Sequence, residues 1–337
     1  MSNAMEGLRT RPWAQFALAS LALIFLTGSA TAQSGNSGAD ETLEPVYPSW
    51  TGSEDLQKTA DQSWKTKAFT GFEYQGETGL DGPGDFKFWM VSGGVSSARM
   101  IGDNVKVALK GDYRAIGYDF GGLTGGVDPW ETVHVLRLNP LMTYVISDAW
   151  SVIGGPIVEF SGEEEADFSD SLRGGGLVGF GYKRPSFYIA FGVLAMTEIE
   201  KDARIQPFIL IDWKITDGLA LGVKADTSRG GELRMDYALT RNLTMGVGVG
   251  VRRELFRLNN DGPGGGPGTR EDGVGEETSA TIKITAIYQI NEMIAIEGYG
   301  GIVANGEFRL ENENGDVLAQ ADYDNSGFGG MNMRFSF

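Results

Sequence analysis

From residue 68 to the C-terminus, the sequence alternates between apolar and polar side chains, and charged residues recur at the polar positions. In the stretch ELRMDYAL at 232–239, every second residue from Leu233 on is apolar. The charged residues Glu232, Arg234 and Asp236 alternate with them. A period of two residues is that of a β-strand, because its successive side chains point to opposite faces. The same pattern recurs along the chain, so we predict an all-β fold.

Short and long connections alternate along the chain. We predict about fourteen strands (the pattern allows 12–16), at 68–75, 86–98, 104–120, 131–146, 150–160, 171–182, 187–200, 204–215, 219–228, 232–240, 243–259, 278–289, 293–310 and 323–337. Tight turns are predicted at 147–149, 183–186, 216–218, 241–242 and 290–292, and long loops at 76–85, 121–130, 161–170, 260–277 and 311–322. This asymmetry is typical of a transmembrane antiparallel up-and-down β-barrel. It predicts that 161–170 and 260–277 lie outside the cell and that 241–242 is periplasmic.

The spacing of aromatic residues gives the height of the predicted barrel wall. Trp150 and Phe160 lie ten residues apart on the same face of one strand. At about 3.3 Å per residue and a tilt of about 40°, this spacing corresponds to roughly 25 Å of height. That is the height of the apolar band of a membrane barrel, with one aromatic residue at each rim.

The N-terminus has the layout of a cleaved secretory signal. Arg9 and Arg11 precede an apolar stretch at 14–26, and Ala30-Thr31-Ala32 supplies small residues before a cleavage site between Ala32 and Gln33. The alternative, a membrane anchor, needs about 20 apolar residues, more than this stretch has. We therefore predict a signal peptide at 1–32. The polar segment 33–67 is predicted to be a flexible periplasmic tail, or else a plug, and residues 68–337 are predicted to form the barrel.

The last strand carries a family resemblance. It ends in Met331-Asn332-Met333-Arg334-Phe335-Ser336-Phe337, and the alternating apolar residues with a terminal Phe resemble the C-terminal sorting strand of Gram-negative outer-membrane proteins. Residues 68–337 resemble bacterial outer-membrane β-barrels. The segment from Asn139-Pro140 to Gly155-Pro156 is similar to an uncharacterised barrel family of unknown function. The resemblance implies location in the cell outer membrane, contact with its lipid, and insertion by the barrel-assembly machinery through Phe335 and Phe337.

Composition excludes several kinds of active site. The chain has no Cys and a single His, so thiolate sites and His-rich metal sites are excluded. His134 is predicted to face outward, where a catalytic Ser–His pair would need a Ser at the same height on a neighbouring strand. The loop at 261–268 is rich in Gly and Pro but lacks the GK[ST] ending of a phosphate-binding loop. We expect no enzyme activity, no cofactor, no dedicated metal site and, at a net charge of −17, no nucleic-acid partner.

Acidic residues cluster at the predicted long loops. The clusters are Glu163 to Glu165 with Asp167 and Asp170, Glu271-Asp272 with Glu276-Glu277, and Glu311, Glu313 and Asp316. The simplest interpretation is that they keep the loops solvated. A second interpretation is weak binding of divalent cations that bridge lipopolysaccharide phosphates.

The polar face of the strands predicts the residues that line the lumen. The predicted cations are Lys106, Lys110, Arg114, Arg137, Arg173, Lys214, Lys224, Arg234, Lys283 and Arg334, and the predicted anions are Asp112, Glu159, Asp212, Asp226, Glu232, Asp236 and Glu297. These charges either line a water-filled pore or pair across neighbouring strands in a closed interior. We favour the water-filled pore, because fourteen strands leave room inside.

Glycines interrupt the same polar face on one strand. Gly246, Gly248 and Gly250 are predicted to point inward, near Gly222 on a neighbouring strand. They either widen the lumen or seat another group against the wall, for which residues 33–67 are a candidate.

Three functions are compatible with this sequence. The first is a passive or weakly selective channel for small polar solutes or ions. The second is a non-conducting structural or surface-interaction barrel of the cell envelope. The third is a transporter of apolar molecules with an N-terminal hatch, against which the polar lumen argues.

Overall fold

The computed structural model describes residues 63–123, 128–226, 230–259 and 273–337, without the side chains of residues 224–226. The predicted signal peptide, its cleavage site at Ala32 and Gln33, and most of the predicted tail lie outside these residues. The strands are β1 (Lys65–Gly79), β2 (Asp85–Ile101), β3 (Val105–Gly121), β4 (Thr132–Val145), β5 (Trp150–Glu163), β6 (Leu172–Arg184), β7 (Phe187–Glu198), β8 (Lys201–Lys214), β9 (Leu219–Asp226), β10 (Gly230–Ala238), β11 (Leu243–Arg257), β12 (Val274–Asn291), β13 (Ile294–Glu311), β14 (Val317–Tyr323) and β15 (Ser326–Ser336). Within the described ranges, no helix is long and apolar enough to cross a membrane.

The strands close into an antiparallel barrel. From β1 to β13 each strand pairs with its neighbours in the chain, and β1 pairs with β15 from Lys67↔Ser336 to Gln75↔Phe328. β14 pairs with one end of β13 and β15 with the other, so together they occupy one position in the wall. The predicted fourteen-stranded barrel is confirmed. The pairing of β1 with β15 closes the wall, and a closed wall is the condition for a sheet to span lipid.

The long-loop end differs from its prediction at several strand ends. β1 continues to Gly79 and β14 begins at Val317, so much of the predicted loops 76–85 and 311–322 is strand. The β13–β14 hairpin closes in a tight turn, because the Asn312 Oδ1 atom accepts hydrogen bonds from the backbone N–H groups of Asn314 and Asp316, both at 2.9 Å. At the other end of the barrel, β1 starts three residues earlier than predicted, at Lys65.

Short turns join the strands at the opposite end, as predicted. Three of them share one local structure, in which a hydroxyl oxygen accepts a hydrogen bond from the backbone N–H three residues later. The pairs are Ser147 with Trp150 at 3.1 Å, Thr216 with Leu219 at 3.1 Å, and Thr240 with Leu243 at 3.0 Å. Such side-chain bonds stabilise a tight reversal. We call the two ends of the barrel the short-turn end and the long-loop end.

The outer surface of the barrel is apolar. The side chains of Leu138, Val158, Val247 and Ile284 face outward and are 43–62% exposed. Aromatic side chains surround the barrel near the short turns, among them Tyr144, Trp150, Trp213, Tyr237 and Tyr288. An apolar band bordered by aromatic residues is the surface that a barrel presents to lipid.

The wall narrows towards the long-loop end. There β11 extends beyond β10, with which it pairs only up to Arg252, while it stays paired with β12. Its last residues contact β5, through the pair Arg257↔Gly162 and a 2.8 Å hydrogen bond from the Ser161 hydroxyl to the Leu255 carbonyl. Between this contact and the long-loop end, β1 to β5 and β11 to β14 enclose a smaller space than the whole wall does. The tip of the β7–β8 hairpin packs against the outside of this narrower part, where Ile199 contacts Leu255 and Val274.

Candidate functional site: the barrel lumen

The structure places the predicted lumen residues on the inner side of the wall. This applies to Lys106, Lys110, Asp112, Arg114, Arg137, Glu159, Arg173, Asp212, Lys214, Glu232, Arg234, Asp236, Lys283, Glu297 and Arg334, whose neighbours in the chain face lipid. The strand positions of Lys224 and Asp226 have the same parity, but their side chains lie outside the described part of the chain. Their role in passing a solute stays a prediction.

Ion pairs cross the lumen in its middle. Arg114 on β3 donates two hydrogen bonds to Glu254 on β11, at 2.6 and 2.9 Å. Arg252 on β11 contacts Glu73 on β1 at 2.9 Å and Glu277 on β12 at 3.5 Å. Since β3 and β1 are not neighbours of β11 in the wall, two of these pairs span the interior. We call Arg114, Arg252, Glu73, Glu254 and Glu277 the cross-lumen network.

Tyrosine hydroxyls complete the hydrogen bonding of this network. Tyr118 and Tyr323 donate to the two oxygens of Glu277, at 2.7 and 2.9 Å, and Tyr299 donates to Glu73 at 3.0 Å. Both carboxylates are buried, at 1% and 8% exposure. Buried charges are tolerated when they are paired and hydrogen-bonded, as they are here.

Aromatic side chains fill the lumen between this network and the long-loop end. They come from β2, β3, β11, β13, β14 and β15 and from the loop before β4. We define the aromatic cluster as Phe86, Phe88, Tyr118, Phe120, Trp130, Phe256, Phe308, Tyr323 and Phe328. Phe308 stands edge-on to Trp130 with ring centroids 5.3 Å apart, and to Phe86 at 4.6 Å. The expected water-filled lumen is therefore absent in this half among the described residues, because side chains occupy the interior that fourteen strands enclose.

The other half of the lumen, towards the short-turn end, contains a cavity. It has a volume of about 120 Å³ and is lined by Phe69, Arg234, Lys283, Glu297, Tyr299, Asn332 and Arg334. The Tyr299 ring forms its boundary with the cross-lumen network, since the Tyr299 hydroxyl bonds to Glu73. We call this space the basic cavity, because three of its seven lining residues are cations.

The inward glycines have a structural role beside this cavity. A Cβ atom at Gly246 would lie 2.2 Å from the Asp236 Oδ1 atom, and one at Gly248 would lie 3.1 Å from the Glu232 Oε1 atom. A Cβ atom at Gly71 would lie 2.1 Å from the Asn332 Oδ1 atom. These glycines leave room for polar side chains of neighbouring strands against the wall. Whether residues 33–67 lie there stays a prediction, since most of that segment lies outside the described residues.

A separate apolar cluster lies on the inner side of β5 to β8. It consists of Ile157, Leu194, Met196 and Phe208, all less than 9% exposed. The inner wall is thus less uniformly polar than the alternation of charges predicts. Short-range periodicity identifies the face of each residue, but it does not identify which inward residues share a height.

Several of the acidic residues predicted on loops are instead buried and paired. Glu276 and Glu277 belong to β12, and Glu276 bonds to Arg253 at 2.7 Å. Glu311 belongs to β13, is 2% exposed, and pairs with Lys201 at 2.6 Å. Their assignment to solvated loops is wrong, because the strands extend further than their apolar segments indicate.

Glu163 is likewise buried. It lies at the end of β5, where its carboxylate accepts hydrogen bonds from the backbone N–H groups of Glu131 at 2.9 Å and Asn259 at 3.0 Å. Glu271 and Asp272 lie outside the described residues. Within the described ranges, no three acidic or His side chains converge as a metal site. Divalent cations and lipopolysaccharide at the remaining acidic positions stay a prediction.

His134 lies on the outer face of β4, as predicted. The Tyr113 hydroxyl lies 2.7 Å from the His134 Nδ1 atom, and the two rings are stacked. Both side chains stand near the long-loop rim of the apolar band, where amphipathic aromatic rings are favoured. The structure thus gives His134 an interfacial position on the lipid side of the wall.

Most of the cross-lumen network was not predicted from the sequence. Glu73, Arg252, Glu254 and Glu277 were not among the predicted lumen residues. Arg252 and Glu254 continue the inward parity of Gly246 to Gly250, so extending the alternation would have found them. Glu277 was missed because β12 begins four residues before its predicted start.

A closed antiparallel barrel with an apolar outside and charged side chains inside defines the class of this protein, a bacterial outer-membrane β-barrel. The outer membrane is therefore its location. No protein-family model matches the chain, and the search of curated proteins also returns no match.

Solved structures of outer-membrane barrels resemble the chain at low identity. A FadL homologue from Pseudomonas aeruginosa is 10% identical with a TM-score of 0.46, over 81% of this chain and 90% of that one. An outer-membrane channel from Pseudomonas putida F1 is 10% identical with a TM-score of 0.44, over 83% and 97%. The KdgM porin is 10% identical with a TM-score of 0.29, over 79% and 99%. Likenesses at these scores carry nothing about the solute of this chain.

Proposed function

We propose that the protein is an outer-membrane channel for small polar solutes or ions, closed by the aromatic cluster in the conformation described here. The observation that supports this proposal is the cross-lumen network together with the basic cavity, which line the interior with charge from near the short turns up to Glu277. A barrel that only had to be stable would not need them, because apolar residues in place of a buried ion pair are often equally stabilising.

The aromatic cluster is the barrier to a solute in this proposal. Trp130 and Phe308 each contact four or more other rings of the cluster. Trp130 sits in the loop before β4 rather than in a strand, so it can move without breaking the β-ladder. A channel that opens by displacement of this residue has a low conductance at rest.

The test compares single-channel conductance in planar bilayers. The double variant Trp130→Ala and Phe308→Ala removes two rings that each contact four or more others, and we expect its conductance to exceed that of the wild type severalfold. Phe168→Ala is the matched control, since Phe168 is 64% exposed and stacks on Phe160 outside the barrel. We expect the control to conduct like the wild type. Folding of each variant is checked by its altered mobility in unheated gels.

A non-conducting structural barrel is the second candidate, and the filled long-loop half favours it. If neither the wild type nor the folded double variant conducts, the channel proposal fails and the structural role takes its place. The apolar-transport alternative depends on a hatch formed by the N-terminal segment, most of which lies outside the described residues. We propose no catalytic role, because the single His of the chain faces outward beside Tyr113.

A further inference from the structure

We propose that the basic cavity is a binding site for a small oxyanion, a carboxylate or phosphate group, that enters from the short-turn end. The inference deepens the proposed function by naming a solute class. It depends on that function only for its physiological meaning, because the binding itself is tested without transport.

The first step is the hydrogen bonding of Arg234. Its Nε atom donates to both oxygens of Asp236, at 2.7 and 2.9 Å, and its Nη1 atom donates to Glu297 at 2.7 Å. The remaining nitrogen, Nη2, is buried and has no hydrogen-bond partner among the described residues. The whole residue is 3% exposed. A buried charged donor without a partner is costly, so a group that accepts its hydrogen bonds is strongly favoured there.

The second step is the charge around the cavity. Arg334 donates to the other oxygen of Glu297, so that the two guanidinium groups lie on either side of one carboxylate. The Lys283 Nζ atom lies 2.7 Å from the Glu232 Oε2 atom. Arg234, Lys283 and Arg334 all line the cavity, whereas Glu297 is the one acidic residue that does so. The surface that meets a ligand is therefore cationic.

The carboxylates of Asp236 and Glu232, which neutralise these cations, lie behind them against the wall. Asp236 and Glu232 do not line the cavity, and each lies against a glycine of β11. A Cβ atom at Gly246 would displace Asp236 from its place beside Arg234. The glycines thus keep the acidic partners flat against the wall and leave the cationic groups towards the open space.

The volume and lining of the basic cavity also suit such a ligand. A volume of about 120 Å³ is several times the space that one water needs, and it accommodates a compact oxyanion. Guanidinium N–H groups form strong hydrogen bonds to carboxylate and phosphate oxygens, and the Arg234 Nη2 atom has such donors without a partner among the described residues. Phe69 and the Tyr299 ring form the apolar part of the cavity and suit a short carbon chain on the ligand.

The experiment measures equilibrium binding of acetate to the folded barrel in deuterated detergent. Saturation transfer from protein to the acetate methyl group detects weak binding, and inorganic phosphate is added as the competitor. We expect transfer with the wild type, loss of that transfer as phosphate is added, and at least fivefold weaker acetate binding for Arg334→Gln. Lys283→Gln is the second variant, in case Arg334→Gln folds poorly, and it should weaken binding in the same direction.

The matched control is Lys110→Gln, which removes an inner-wall cation on β3 that does not line the cavity. We expect it to bind acetate as the wild type does. The inference is overturned if the wild type shows no transfer, or if Lys110→Gln weakens binding as much as the cavity variants, which would indicate general attraction to a charged lumen. A barrel that binds acetate but never conducts keeps this inference and loses the channel function.

Discussion

The two halves of the lumen are built from the same fourteen-stranded wall but are filled very differently. Towards the long-loop end, the aromatic cluster and the cross-lumen network occupy the interior. Towards the short-turn end, Gly71, Gly246 and Gly248 place no side chain inside, and a cavity of about 120 Å³ remains. The number of strands therefore sets the space that a barrel encloses, whereas the size of the inward side chains decides whether that space is open.

The two halves of the lumen also differ in how they stabilise their charged side chains. In the filled half, Arg252 lies over the Phe88 ring at 4.6 Å and between two carboxylates. In the other half, Arg334 borders a cavity. A charge that touches a cavity can be hydrated when its partner is lost, whereas a charge enclosed by rings cannot.

The largest expected effect tests this difference directly. Arg252→Leu leaves Glu73 and Glu277 buried without their cation, and we expect it to lower the free energy of unfolding by about 3–5 kcal/mol. Arg334→Leu should cost clearly less, because water can reach Glu297 through the cavity. The measurement is equilibrium unfolding by urea in lipid vesicles, followed by tryptophan fluorescence. Equal costs for the two variants would mean that the halves do not differ in hydration.

The second prediction concerns the register of β11, the strand that contributes to both halves. Val247 faces lipid at 50% exposure, and Gly248 faces the lumen beside Glu232. We expect Val247→Lys to cost about 2–4 kcal/mol, as a charge does at the midplane of a barrel's lipid face. Gly248→Lys should cost less, since its ammonium group lies on the lumen side, where the Glu232 carboxylate can pair with it.

The same unfolding assay distinguishes the two positions of β11. If Gly248→Lys proves the costlier variant, the inward glycines and the cavity beside them are placed wrongly.

Much of this arrangement could be predicted from the sequence. The alternation of apolar and polar residues predicted the closed wall and placed its charged residues on the inner face, because a strand period of two assigns every residue to a face. The aromatic cluster could not be predicted, since the period of a strand does not show which inward residues meet at one height and does not apply to a loop. Trp130, for instance, lies in the predicted loop 121–130. Nor could the cross-lumen pairs, because Arg114 and Glu254 are 140 residues apart and do not lie on paired strands.

The smallest expected effect tests whether the glycines of the open half are required by their neighbours. At Gly246, an added methyl group would meet the Asp236 Oδ1 atom at 2.2 Å, the Thr285 Oγ1 atom at 2.6 Å and a backbone carbonyl at 3.2 Å. Asp236 is held in place by Arg234, so it cannot move away without loss of that pair. We therefore expect Gly246→Ala to cost about 1–3 kcal/mol, the usual range for overpacking.

Gly248→Ala is the matched variant two residues along the same strand. There the nearest atom is the Glu232 Oε1 atom at 3.1 Å, at the end of a flexible side chain. A shift of a few tenths of an ångström relieves this contact, and alanine also loses less backbone entropy on folding than glycine does. We expect a change within about 0.5 kcal/mol, read from urea unfolding in vesicles alongside Gly246→Ala. Two equal losses would show that the wall tolerates no added side chain at either height, and the glycines would then serve close strand packing rather than the seating of Asp236.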